Sequence, residues 1–72
     1  MKNKNELLKS MSVLRKDLYN FITELEKNID NIVQYSDLNN PQVKEIIAKL
    51  QGEIEVMEGI ILYCETGEKF LT

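Results

Sequence analysis

Few side chains in this 72-residue chain have chemistry to offer: one cysteine, twelve carboxylates, nine lysines and arginines, three tyrosines and no histidine. Cys64 has no imidazole to activate it, and the neighbouring Glu65 disfavours a thiolate, so it reads as a small buried apolar residue. A single cysteine closes no intrachain disulfide, and without histidine there is no zinc-type ligand set. Glu53, Glu55, Glu58, Glu65 and Glu68 offer hard oxygen ligands, but their spacing spreads them around a helix. Carboxylate metal sites in bundles also use an i, i+3 histidine, which is missing. Tyr19, Tyr35 and Tyr63 are amphipathic and suit an interface rim. Asn28 falls beside an apolar seam, where a polar residue can set register. No Walker loop, catalytic triad or glycine-rich phosphate cradle occurs. The expectation is a non-enzyme without catalytic residues, cofactor or metal.

Charge narrows the field further. The net charge is −3, and the pI is near 4.9. Residues 1–36 carry six basic and five acidic side chains (+1), and residues 37–72 carry three and seven (−4). Electrostatic grip on nucleic acid or anionic lipid needs a basic footprint, so neither partner is expected. Lys2, Lys9, Lys16 and Lys27 share one outer stripe of the first half with Asn20, which reads as a solvated helix back. The longest uncharged apolar stretch, Gly59–Cys64, is far shorter than the ~20 residues of a membrane span. The basic start runs into no continuous apolar segment, so no export signal is expected. With one unpaired thiol, the chain is expected to be cytoplasmic.

Two elements position these residues. Leu7, Met11, Leu14, Leu18, Phe21 and Leu25 follow spacings of 4, 3, 4, 3, 4, a heptad seam that Ile29, Ile32 and Val33 prolong. Leu8 and Ile22 widen it, because an undistorted helix drifts from a seven-residue repeat. The first helix is expected over about 4–35, with Asn3 and Glu6 as a capping-box pair. Residues 36–40 are turn chemistry, and Asn40-Pro41 is a strong helix start. Val43, Ile47, Leu50, Ile54, Met57, Ile61 and Cys64 form the second seam over about 41–66, and Gly67 reads as the stop. Residues 67–72 then form a short tail, whose Phe70 is expected to cover Leu7. A loop this short makes the helices antiparallel. The whole chain, 1–72, is therefore expected to be one all-α helical hairpin.

Two side-by-side helices cover each wide apolar stripe on one side only. So small a chain needs support from disulfide, metal or partner, and here only a partner remains. The seam residues are thus expected to serve as hairpin or dimer core, with two hairpins closing a four-helix bundle. On the opposite face of the second helix lie Ala48, Gly52, Val56, Gly59, Leu62 and Tyr63. A helix-interior glycine costs about 1 kcal/mol relative to alanine, so two of them invite a partner's close approach. These six residues are the expected partner-binding ridge.

The strip Leu14-Arg15-Lys16-x-Leu18, with Asn40-Pro41-Gln42-Val43 leading into Ile46 and Leu50, resembles the sporulation-regulatory aspartyl-phosphate phosphatases of spore-forming bacteria. That resemblance implies a helical hairpin acting on a phosphorylated response regulator. The family's Ser-Gln-x-x-Asp signature falls on Ile47, Ala48, Lys49, Leu50 and Gln51, so its serine, glutamine and aspartate are all replaced. No active site carries over. The residues point first to a small regulatory or adaptor protein acting through helix faces. A phosphatase-like regulator, or a structural subunit of a phage or mobile element, is the alternative. The Lys-, Asn- and Ile-rich composition suits a bacterial or phage source.

Overall fold

The computed structural model describes residues 2–72, with side chains from residue 3 onward. It is an all-α antiparallel hairpin of α1 (Lys2–Tyr35) and α2 (Pro41–Leu71). The connection is built as its residues dictate. The Ser36 N–H closes on the Ile32 carbonyl, and Asp37 accepts the Asn39 N–H on its side chain and the Asn40 N–H on its carbonyl. Asn40 is extended and its Oδ1 accepts the Gln42 N–H at 2.9 Å, a side-chain cap that satisfies a donor the helix leaves free. Pro41 follows at the first helical position, where its missing N–H is harmless.

Both outer boundaries differ from expectation. α1 already contains Asn3, so the Asn3–Glu6 pair is not its cap. α2 does not stop at Gly67. It runs to Leu71 and closes at Thr72, whose N–H donates to the Glu68 carbonyl. Gly67 has helical dihedrals because packing holds it: its bare Cα admits Met11, Glu68 pairs with Arg15, and Leu71 is half-buried. Phe70 consequently points away from α1 and is 89 % exposed, so it does not cover Leu7.

The seam of α2 is as expected, from Val43 through Cys64, and Glu68 and Leu71 continue its rhythm. The seam of α1 is shifted. Among the described residues Ile22, Leu25, Ile61 and Cys64 are buried, and on α1 Leu8, Met11, Arg15, Leu18, Ile29 and Ile32 are half-buried. Leu7, Leu14 and Phe21 are exposed and lie outside the hairpin core. The working spacing is therefore Leu8, Met11, Arg15, Leu18, Ile22, Leu25, Ile29, Ile32, an unbroken 3, 4, 3, 4, 3, 4, 3. Arg15 is tolerated in that seam because its stem packs while its guanidinium finds Glu68.

The result is a rod of 55 × 14 × 13 Å. A compact chain of this length would have a radius of gyration of about 11 Å, against the observed 16.4 Å. No helix among the described residues is long and apolar enough to cross a membrane.

Candidate functional site: the open faces of the hairpin

At the end remote from the loop, polar side chains clasp the two helices. Arg15 Nε donates to Glu68 Oε2 at 3.0 Å, with both side chains largely covered. One turn further on, the Tyr19 hydroxyl donates to Glu65 Oε1 at 2.9 Å. That hydrogen bond, with burial and the carboxylate charge adding to it, raises the Tyr19 pKa above its ordinary value. Glu65 and Glu68 thus serve the hairpin itself, while Lys27 and Lys49 make exposed pairs within their own helices, with Glu24 and Glu45. Glu68 reaches Arg15 because α2 continues through Gly67.

The clasp defines the two flanks of the seam. On its own side lie Ser12, Tyr19 and Glu26 of α1 with Gln51, Glu58 and Glu65 of α2. Shallow grooves here are lined by Tyr19, Glu58, Ile61, Leu62 and Glu65, and nearer the loop by Glu26, Ile29, Asp30, Gln51 and Ile54. The opposite flank carries Leu7, Leu14 and Phe21 of α1 with Ile46, Ile60 and Gly67 of α2. There a groove of about 230 Å³ is bounded by Met11, Tyr63, Thr66, Gly67 and Phe70. The first flank carries the hydrogen bond of Tyr19 to Glu65 and, near the loop, the exposed Val33; the second has more exposed apolar side chains, interrupted by Asn28 and Glu53.

The outer face of α2 forms the third surface. Val56 is 64 % exposed, Leu62 63 % and Tyr63 77 %. Ala48 and Gly59 are exposed between them and Gly52 is half-exposed. A Cβ built on Gly52 or Gly59 meets nothing within 4 Å, so neither glycine is required by packing against α1. The structure therefore brings all six ridge residues onto one outward surface. It adds Phe70, which continues the seven-residue line Val56, Tyr63, Phe70. That spacing was present in the sequence, but an expected helix end at Gly67 concealed it.

Cys64 is buried beside Ile61 in the seam, as a free thiol. Asn28 is exposed and sets no register within the hairpin. Comparison of the chain with protein-family models, with curated proteins and with solved structures finds no match.

Proposed function

We propose that this chain is a small non-enzymatic adaptor or regulator that binds a helix of another protein along the outer ridge of α2. The observation that carries this reading is the exposure of Val56, Leu62 and Tyr63 beside two glycines that face open space. Small residues at Ala48, Gly52 and Gly59 let a partner backbone come close, and the larger side chains supply contact area around them. The exposed Glu45, Lys49, Glu55 and Lys69 share this outward face and would form a charged surround to such a contact. A cytoplasmic setting belongs to this reading, supported by the free thiol of Cys64.

The test is Gly59→Arg, which adds bulk and charge to the ridge without touching the seam. Arginine also has the better helix propensity, so helicity should hold or rise. Affinity capture from the host, with the retained protein identified by mass spectrometry and its binding then measured, should show loss of that partner in the variant. Retention of the same partner by Gly59→Arg would refute the ridge as the binding surface.

A further inference from the structure

The outer face of α2 carries a second heptad seam, with a pattern that matches its own reverse. Gly52, Val56, Gly59, Tyr63, Thr66 and Phe70 follow spacings of 4, 3, 4, 3, 4 and alternate small with large. That rhythm suits a second helix wound left-handed along α2. Val56, Tyr63 and Phe70 are all largely exposed, so the hairpin leaves this seam uncovered.

We infer that the seam pairs with the same seam of a second copy of the chain, α2 against α2, antiparallel about a two-fold axis. The inference rests on the ridge being a helix-binding face and names a helix that fits it. Read in the opposite direction, the size pattern inverts. A large side chain then falls opposite a small one in every layer: Gly59 faces Tyr63 across the axis, Gly52 faces Phe70, and Val56 faces Thr66. A parallel pair would set glycine on glycine and tyrosine on tyrosine, with voids beside overpacked layers.

The flanking positions select the same arrangement. In an antiparallel pair each flank of the seam meets its own counterpart. On one flank Glu55 falls opposite Lys69, once on each side of the axis, and Leu62 meets Leu62 between them. Neither Glu55 nor Lys69 makes an ion pair within the hairpin among the described residues. On the other flank Ile60 meets Ile60, and Glu53 lies over the small Gly67. Thr66 is covered at little cost, because its hydroxyl already donates to the Leu62 carbonyl. A two-fold contact requires one surface complementary to itself, and here size and charge both meet that condition. The ridge holds a copy or another protein's helix but not both, so the pair is a resting form that a partner helix displaces.

Sedimentation equilibrium on the purified intact chain, from micromolar to millimolar, should show reversible dimerisation of the 8.4 kDa chain. Gly59→Leu sets two large side chains in one layer, twice per dimer, and should weaken pairing by about 30-fold or more. Helicity should persist, since a Cβ at Gly59 meets nothing in the hairpin. Gly59→Ala keeps the layer small and should leave pairing nearly unchanged. Glu55→Lys and Lys69→Glu each replace two attractive pairs by repulsive ones and should each weaken the dimer about tenfold. The double swap should restore it, a rescue that loss of fold could not produce. The chain is alone in this measurement, so its failure is distinct from a failure to capture another protein. A monomer at every concentration, a dimer indifferent to Gly59→Leu, or charge changes without rescue overturns the pairing.

Discussion

The three glycines of α2 offer a graded test of which surfaces are open. Alanine is favoured over glycine in a helix interior by about 1 kcal/mol. At Gly59 the added Cβ meets nothing within 4 Å, so Gly59→Ala should realise nearly the whole gain. Gly52→Ala should do the same. For a domain of this size, 1 kcal/mol corresponds to a rise of about 4–8 °C in Tm. Gly67 is different. A Cβ there would lie 2.9 Å from Met11 Cε and 3.1 Å from Met11 Sδ. Both atoms end a flexible side chain, so Met11 swings aside, at a cost of about 0.5–1.5 kcal/mol if it leaves its rotamer well. Near the end of α2 the propensity gain is also smaller, and Gly67→Ala should come out near neutral. Thermal melts by far-ultraviolet circular dichroism, at matched chain concentration, measure all three. A Gly59→Ala variant that loses stability would show that the ridge is tightly covered in the purified protein and refute the open-space reasoning. A Gly67→Ala gain as large as that at Gly59 would show that Met11 does not rest on Gly67.

Two further outcomes follow from the clasp. Glu68→Ala should cost about 1–2 kcal/mol, between the values for exposed and buried pairs, because it leaves the largely covered Arg15 without its partner. The double change Arg15→Leu with Glu68→Leu should restore or exceed wild-type stability in a denaturation cycle, since both positions belong to the apolar seam; strict additivity of two losses would count against this. Tyr19 provides the pH prediction. Its hydrogen bond to Glu65 favours the protonated phenol and raises its pKa, so the bond's contribution is complete below the ordinary value near 10 and disappears as pH rises through the elevated one. In a tyrosinate absorbance titration Tyr19 should ionise as a late component above the ordinary value near 10, and Tyr19→Phe should remove that late component. An unchanged late component in the variant would assign it elsewhere.

The seam of α1 shows why one sequence pattern admits two readings. Met11, Leu18 and Leu25 belong to both. Leu7, Leu14 and Phe21 complete one heptad series, and Leu8, Arg15 and Ile22 complete the other. By residue type the first series is the more apolar, because Arg15 interrupts the second. Burial follows the second, because Glu68 on α2 neutralises that arginine at 3.0 Å. A charge on one helix cannot reveal its mate on another until the pair is assembled.

What the amino-acid sequence determined alone is the local part of the structure. Apolar periodicity specified two helices, Asn40-Pro41 specified where α2 begins, and an uninterrupted seam from Val43 to Cys64 specified its inner face. The outward placement of Ala48, Gly52, Val56, Gly59, Leu62 and Tyr63 follows from that same seam by helical geometry. These are consequences of backbone dihedrals, capping and hydrophobic spacing, which act over a few residues. Tertiary structure decided the rest. It carried α2 through Gly67 by packing Met11 and pairing Glu68, turned Phe70 outward, and selected the α1 stripe that meets α2. In doing so it left Leu7, Leu14 and Phe21 exposed on one flank. Each of those outcomes depends on contacts between residues about fifty positions apart in the chain, and only the folded hairpin brings them together.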